Sequence, residues 1–314
     1  MPTTAVRPWV GVLAAAITIT IWTSFIVVAR ASASHTLLPL DILALRVVGA
    51  SAVLFPYLWW RRQRTRAQGL QHTTSLWGWS PLPLRLTITV GVLAGFLYSA
   101  LAYSGFFFAP ATHASVLLPG SLPLWTGLLA VWWLKEPLTP SRAWGLACIL
   151  LGGLLVGFRS IFGAAADDQA WRGDLLFLAA SATWSTYGVV VRKYQLNAVS
   201  ATSALVVAAA VAYLPSYGLA VTLGLPSHIT LAPWQELVFQ AVYQGVGTTV
   251  IAGITFNTMV KHFGPVRTTM MTAMVPGLSA MSAVLFLGEH FTWELAAGLT
   301  LVTSGIVVGA FRRN

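Results

Sequence analysis

Several aromatic and polar side chains fall near the middle of long apolar segments, where a membrane protein would hold a solute. These residues are Trp22, Ser24, Tyr98, Ser121, Trp184, Tyr187, Tyr243 and Gln244. Indole, phenol and amide groups need hydrogen-bond partners when they are buried in an apolar region. We therefore predict an aromatic cavity with a few polar groups, which suits amphipathic organic solutes. The alternative interpretation is that these side chains only pack against neighbouring helices, with Gln244 linking two of them.

Three prolines fall at comparable depth inside apolar segments, namely Pro119, Pro123 and Pro276. A proline inside a helix removes one backbone hydrogen bond and disturbs the preceding turn. Carbonyl groups freed in this way can face a solute, and transporter sites lie where helices are interrupted near the bilayer midplane. The sequence therefore places candidate binding residues at these prolines. The alternative is a kink whose backbone groups are satisfied by neighbouring helices.

The composition determines which elements must position these residues. The chain has 314 residues, of which 57% are hydrophobic and 8% charged, and its mean hydropathy is +0.75. A soluble domain typically has about 25% charged residues, so most of this surface must face lipid. Segments of about 20 apolar residues cross a bilayer as helices. We predict an all-α integral membrane protein with ten transmembrane helices, at 9–30, 39–60, 84–107, 111–134, 141–160, 173–192, 199–222, 237–259, 265–287 and 292–311.

The net charge of +10 does not indicate nucleic-acid binding, because the basic residues are confined to alternate loops. With the N-terminus inside, 14 of the 18 Lys and Arg residues fall on the inner side. This is the positive-inside pattern. It predicts a multi-pass protein of the lipid bilayer with both termini in the cytoplasm.

The chain repeats itself. Residues 11–30 realign with 173–192 at a shift of 162, and residues 123–152 realign with 276–305 at a shift of 153, with ten of thirty positions identical in the second pair. An odd number of spans in each copy turns the second copy upside down. We therefore predict two inverted five-span repeats, 1–160 and 170–314. Inverted repeats are typical of proteins that open alternately to each side of a membrane.

Charged residues within or beside the spans are few. Glu136 and Glu289 occupy matching positions at helix ends on opposite sides, and we expect them to cap the amides of the next helix or to pair with a base such as Arg142. Arg46 lies inside span 2, where it either extends towards the membrane surface beside Asp41 or attracts anions in an outer vestibule. These three residues are candidate gating or structural charges. His113, early in span 4, could titrate near neutral pH.

The two copies of the proline–glutamate–glycine stretch resemble the drug/metabolite transporter superfamily, specifically its ten-span EamA-type exporters. One copy runs from Pro123 through LKE at 136 to Gly152, and the other from Pro276 through LGE at 289 to Gly305. The resemblance implies an inner-membrane transporter whose helices 1, 3, 4, 6, 8 and 9 line a central cavity, while helices 5 and 10 support it from outside. Lys135 departs from the family pattern, because a glycine usually precedes the glutamate.

The leading hypothesis is a secondary transporter that exports small metabolites, amino acids or related zwitterions, by alternating access. No acidic residue falls at a predicted midplane, which argues against proton-coupled export of lipophilic cations and favours facilitated diffusion or exchange. Alternatives are broad efflux of drugs or toxic compounds, transport of phosphorylated solutes, and a structural or signalling membrane protein.

No enzyme, cofactor or metal site is predicted. The chain has one cysteine, scattered histidines, and neither an HExxH nor a GxSxG motif, so it lacks the grouped nucleophiles and bases that catalysis requires. Several glycines have the spacing of helix–helix contacts, at 91/95, 153/157 and 305/309. We favour contacts within one chain, consistent with a monomer, over a dimer face. The expected partners are the small-molecule substrate and the bilayer, with no nucleic acid.

Overall fold

The computed structural model describes residues 8–67, 75–162 and 169–311, and in these ranges the chain is helical, with one isolated bridge between Ser75 and Ser80. The first half holds seven α-helices: α1 (Pro8–Ser32), α2 (Pro39–Ala67), α3 (Leu84–Val90), α4 (Tyr98–Phe108), α5 (Ala111–Leu117), α6 (Leu122–Leu134) and α7 (Pro140–Phe162). The second half holds another seven: α8 (Ala170–Lys193), α9 (Ala198–Ala208), α10 (Leu214–Thr222), α11 (Trp234–Gln240), α12 (Ala252–Thr272), α13 (Val275–Leu287) and α14 (Trp293–Phe311).

Eight helical runs in the described part of the chain are long and apolar enough to cross a bilayer. They are Trp9–Ser32, Pro39–Arg64, Leu84–Phe108, Ala111–Leu134, Pro140–Gly157, Ala170–Lys193, Val199–Thr222 and Trp234–Met259. Two shorter apolar helices follow, Val275–Leu287 and Trp293–Gly309. The protein is thus an all-helical integral membrane protein, as the composition predicts.

Three of the long runs contain a π-helical stretch, namely Gly91–Leu97, Ala209–Tyr213 and Ala241–Ile251. The wider turn of a π-helix changes the direction of the side chains that follow it, and such stretches occur frequently at functional sites. The third stretch, called the π segment below, carries Gln244 and Thr248. Its geometry was not predicted from the sequence.

The candidate prolines separate helices rather than bend them. Residues 118–121 form a turn between α5 and α6, and residues 273–274 form a turn before α13. Pro123 and Pro276 each stand in the first turn of the helix that follows. Proline is well tolerated there, because the first amides of a helix have no intrahelical partner. The interrupted helices expected from the sequence are present at both sites.

One predicted boundary is wrong. The sequence places a loop at 260–264 between spans 8 and 9, whereas α12 runs without interruption from Ala252 to Thr272. The break comes instead at 273–274, just before Pro276. The polar residues that suggested the loop are compatible with a helix. A single proline inside α12 removes only one backbone hydrogen bond, so the helix continues through it.

Glycines allow α7 and α14 to lie in direct contact at the edge of the bundle. A Cβ atom on Gly145 would come within 2.6 Å of the Gly305 carbonyl oxygen, and one on Gly152 would come equally close to that of Gly298. Such distances are possible only without side chains. These contacts join two helices of the same chain. The main buried core lies between the other helices and includes Phe106, Phe177, Leu43 and Ala114.

Candidate functional site

The site begins where α2 touches the π segment. A Cβ atom on Gly245 would lie only 2.7 Å from the carbonyl oxygen of Arg46, and one on Gly49 would overlap the carbonyl group of Ala241. The two backbones are therefore in contact, which requires glycine at both positions. This close approach places Arg46 beside Gln244.

A buried chain of hydrogen bonds connects these two residues. Nη1 of Arg46 donates to the Tyr103 hydroxyl at 3.1 Å, and that hydroxyl donates to Oε1 of Gln244, also at 3.1 Å. The three side chains belong to α2, α4 and the π segment, so the network joins three helices. Gln244 has no exposed surface, and its Nε2 has no hydrogen-bond partner in the described part of the chain.

The guanidinium of Arg46 faces a central cavity of about 70 Å³. Its wall comes from six of the predicted spans, 1, 3, 4, 6, 8 and 9, together with span 2. The lining residues are Trp22, Phe25, Ile26, Arg46, Tyr98, Leu118, Pro119, Leu122, Trp184, Thr248 and Val275. This space holds a few water molecules.

Arg46 has an unusual electrostatic environment. Arg46 is only 8% exposed. Among the described residues, no carboxylate lies within ion-pair distance of its guanidinium. Asp41 accepts hydrogen bonds from Tyr217, Ser227 and the backbone instead. A buried charge is costly unless it is paired or strongly hydrogen-bonded. The structure therefore does not place Arg46 at the membrane surface beside Asp41, and the interpretation that it attracts anions stays a prediction.

Aromatic rings make up much of the cavity wall. The ring of Trp184 lies 4.7 Å from that of Tyr98 and 5.2 Å from that of Tyr187, measured between centroids. On the other side, Trp22 stacks on Phe256 at 5.1 Å. Stacked neighbours hold each ring in one orientation, so the cavity presents fixed indole and phenol groups.

At one end of the bundle, Glu289 connects three helical elements. Its two carboxylate oxygens accept hydrogen bonds from the backbone N–H groups of Ala111 and Thr112, at 2.7 and 2.8 Å. Nε of Arg30 lies 3.9 Å from the same carboxylate. Glu289 therefore joins the chain after α13 to the first turn of α5 and to the end of α1. It caps a helix as predicted, but this helix is α5 rather than the next one in the chain.

At the other end of the bundle, Glu136 follows α6. Its carboxylate pairs with Arg142 at 3.3 Å and also with Arg192 at the end of α8. Arg142 was the predicted partner. Arg192 was not, although it is the repeat counterpart of Arg30. At each end of the bundle, a glutamate thus contacts an arginine at a repeated position.

The structure brings together only some of the predicted binding residues. Trp22, Tyr98, Pro119 and Trp184 line the cavity, with Arg46 beside them. The others stand behind the wall: Ser24, Ser121, Pro123, Tyr187, Tyr243, Gln244 and Pro276. Ser24 bonds to the Tyr243 hydroxyl at 2.6 Å, and Ser121, in the turn before α6, donates to the carbonyl of Leu117 at the end of α5. Their hydroxyl groups are therefore occupied by protein partners.

Sequence reasoning missed the apolar part of the wall. Phe25 and Ile26 lie three and four residues after Trp22, so they share its helix face. Leu118, Leu122 and Val275 adjoin the candidate prolines in the chain. These five wall residues could have been identified as neighbours of the predicted site residues, either adjacent in the chain or at helical spacing. The predicted residues were chosen for a polar group or as prolines, and these apolar side chains have neither feature.

Comparison with known proteins agrees with this arrangement. The profile of the EamA-like transporter family matches residues 9–158 and again 171–310. This chain belongs to the EamA-like transporter family. It is accordingly a membrane transporter, and the cavity enclosed by its helices is the candidate site for a transported solute.

Relatives of this EamA-like transporter are distant in sequence. An "Uncharacterized transporter YyaM" of Bacillus subtilis (strain 168) is 24% identical over 226 residues, which cover 71% of this chain and 72% of the relative. A "Probable amino-acid metabolite efflux pump" of Salmonella typhimurium is 26% identical over 231 residues, covering 72% and 74%. One crystal structure superposes with a TM-score of 0.59 at 22% identity and covers 95% of both chains, which supports the fold.

Proposed function

We propose that this EamA-like transporter is a secondary transporter of the inner membrane that exports amino acids or related zwitterions by alternating access. In this proposal the ten apolar segments form two inverted five-span halves, 1–160 and 170–314, and both termini are cytoplasmic. The observation that carries the proposal is the buried guanidinium of Arg46 in an aromatic cavity without a protein carboxylate beside it.

Arg46 serves as the anchor for the carboxylate of the solute. A guanidinium offers five N–H donors in a planar fork that matches a carboxylate, and one of these donors is used by Tyr103. An entering carboxylate would neutralise a charge that the protein itself leaves unpaired. The hydrogen bond to Tyr103, which is held in turn by Gln244, fixes the orientation of the fork.

The ammonium group of a zwitterion has two kinds of neutral partner in this cavity. The faces of Trp22 and Trp184 attract cations through the ring quadrupole. The turn at 118–121 interrupts a helix, and because Pro119 has no N–H, the carbonyl of Ser115 receives no helical bond from it. Carbonyl groups of an unwound segment bind cations in other transporters. The remaining apolar wall accommodates the side chain of the solute.

In this conformation Glu289 connects the chain after α13 to α1 and α5, and Glu136 connects the chain after α6 to α7 and α8. Alternating access would break these two sets of contacts in turn. We propose that each end opens in turn, when α5 and α6 or α12 and α13 move relative to α1 and α8. The Salmonella relative is named a probable amino-acid metabolite efflux pump, which supports amino acids as the class of solute.

Counterflow in proteoliposomes tests this function. Vesicles loaded with the standard amino acids should accumulate labelled amino acids from outside, and Arg46→Gln should reduce the initial rate by about 10- to 100-fold, because a charged hydrogen-bonded contact contributes about 1.5–3 kcal/mol. Trp184→Ala combined with Gln244→Ala should also abolish counterflow. Arg85→Gln, which removes an exposed arginine outside the cavity, is the matched control and should leave the rate unchanged.

Two outcomes contradict the proposal. Counterflow that survives Arg46→Gln at the wild-type rate would exclude the carboxylate anchor. The absence of counterflow with folded wild-type protein would exclude amino acids as substrates. Broad efflux of drugs would then be the next hypothesis, since the aromatic wall could accept them, and a panel of aromatic drugs would replace the amino acids in the same assay.

A further inference from the structure

A cluster of arginine and tryptophan side chains lies at the end of α2, outside the central cavity. Cζ of Arg64 lies 4.1 Å from the ring centroid of Trp60, and Cζ of Arg62 lies 5.8 Å from that of Trp79. A guanidinium is planar, so a contact between its face and an aromatic ring leaves the N–H donors at its edge open to another ligand. The two indole rings therefore hold two arginine forks at the surface of the protein.

These two arginines have no acidic partner in the protein. Among the described residues, neither Arg62 nor Arg64 takes part in an ion pair or donates a hydrogen bond. The chain has no aspartate or glutamate from residue 42 to residue 135, whereas arginines stand close together at 61, 62, 64 and 66. Basic clusters directly beside a transmembrane helix attract anionic lipid headgroups. The charge of this cluster is therefore open to an anion from outside the chain.

A strained turn holds Trp79 beside Arg62. Leu76, Trp77 and Gly78 all have positive φ values, of 52°, 57° and 85°. The left-handed conformation is costly for residues other than glycine, and such strain is found most often at functional sites and ligand clamps. The backbone of Gly78 also lies against Arg62, because a Cβ atom on this glycine would be 3.5 Å from Cζ of the guanidinium. The turn thus contacts the guanidinium through both a ring and the backbone.

Hydrogen bonds attach this turn to the start of α3. The backbones of Ser75 and Ser80 exchange two bonds of 3.1 Å. The Ser75 hydroxyl donates to the carbonyl of Leu82 at 2.7 Å, and the Ser80 hydroxyl bonds to that of Thr87 at 2.6 Å. Trp77, in contrast, is 78% exposed. Because tryptophan is enriched at the membrane–water interface, the turn presents an indole ring where headgroups meet acyl chains.

We propose that the end of α2 and the turn at 75–80 bind the headgroup of an anionic phospholipid in the surrounding leaflet. Arg62 and Arg64 donate to the phosphate oxygens, whose geometry matches a guanidinium fork. The exposed rings of Trp60 and Trp77 contact the glycerol and the first acyl carbons. The occupant is a lipid rather than free phosphate, because exposed indole rings are stabilised only by a ligand with apolar surface. A zwitterionic lipid binds less well, since its own cation competes with the arginines.

Lipid binding measured by native mass spectrometry tests this site. The purified protein in a neutral detergent is titrated with palmitoyl-oleoyl phosphatidylglycerol or with the phosphatidylcholine of the same chains. Wild-type protein should bind the first phosphatidylglycerol about 10-fold more tightly, since two unpaired arginines face its phosphate. Arg62→Gln combined with Arg64→Gln should reduce this preference to about twofold. Arg172→Gln, which removes the arginine over Trp171 at the opposite end of the bundle, is the matched control and should keep it.

Three results would overturn the lipid site. They are equal affinity of the wild-type protein for both lipids, a preference for phosphatidylglycerol that the double variant retains, and displacement of bound phosphatidylglycerol by an equal concentration of glycerol phosphate. The last result would mean that the arginines recognise a phosphate group alone. If the double variant is unstable, Arg64→Gln alone changes an exposed side chain and should lower the preference about threefold, and an unchanged preference would overturn the site.

The turn is tested separately from the charges. Trp77→Ser should weaken the binding of both lipids by a similar factor, because it removes apolar contact area and leaves the arginines in place. An unchanged affinity for both lipids would exclude the turn at 75–80 from the site. This lipid site does not depend on which solute is transported, so its failure leaves the export function intact.

Discussion

The two glutamates at opposite ends of the bundle lie in the same local sequence but bind different partners. The segments LKE ending at Glu136 and LGE ending at Glu289 both follow a short helix, and the residue before each glutamate has a positive φ, 57° at Lys135 and 67° at Gly288. The glutamate N–H groups bond to matching carbonyls, of Ala130 and Ala283. The local geometry of the two copies is therefore the same.

The difference lies in what the carboxylates bind. Glu289 binds two backbone amides of α5, whereas Glu136 binds the side chains of Arg142 and Arg192. The Glu289 side chain is 13% exposed, while Glu136 is 23% and Arg192 57% exposed. Exposed ion pairs between long side chains contribute little, because water and salt screen them. The Glu136 end should therefore open more easily than the Glu289 end.

The largest expected effect comes from removing the two carboxylates in turn. We expect Glu289→Gln to lower the free energy of unfolding by about 2–3 kcal/mol, because two hydrogen bonds to a charged group are weakened. Glu136→Gln should cost less than about 1 kcal/mol. Thermal unfolding of the purified protein measures both. Equal losses for the two variants would mean that the ends are held equally firmly.

An intermediate effect is expected from Ala111→Pro. Proline fits the first turn of a helix and removes the N–H that donates to Glu289 at 2.7 Å, without altering the carboxylate. We expect unfolding to become easier by about 1 kcal/mol. In the Glu289→Gln background the same proline should have little further effect, since the two changes act on one contact. Full additivity would show that proline acts elsewhere.

The smallest effect should come from the residue with positive φ. Lys135→Gly should raise the free energy of unfolding by about 0.5–1 kcal/mol, because glycine adopts the left-handed conformation without steric cost. The reciprocal change at the other end, Gly288→Ala, should lower it by a similar amount. Both are read from the midpoint of thermal unfolding. A loss of stability in Lys135→Gly would show that the lysine side chain stabilises this end.

Much of the fold was predictable because it depends on neighbours along the chain. Apolar length gave the helices, and the prolines at 123 and 276 gave the two interruptions. The continuous helix α12 and the π segment were not predicted. A helix can continue through polar residues, and a π-helix arises where packing favours a wider turn, so neither feature has a clear local signal.

The candidate site was predictable in part. Indole and phenol groups at mid-depth indicated the cavity, and Trp22, Tyr98 and Trp184 do line it. The contact of Arg46 with Tyr103 was not accessible in this way, because the direction of the Arg46 side chain depends on the contact between Gly49 and the π segment. Ser24 and Ser121 are also side chains with a polar group at mid-depth, yet their hydroxyl groups bond to other groups of the protein.

The sequence by itself determined an all-helical membrane protein, the duplication, the interrupted helices and the glutamates at their ends. Tertiary structure alone decided which groups those glutamates bind, where Arg46 points, and that His113 meets Asp174. The physical reason is the separation of the partners along the chain. Glu289 and Ala111 are 178 residues apart, and Tyr103 and Gln244 are 141 apart. Helix formation depends on residues within a few turns, whereas these contacts exist only after the helices have packed.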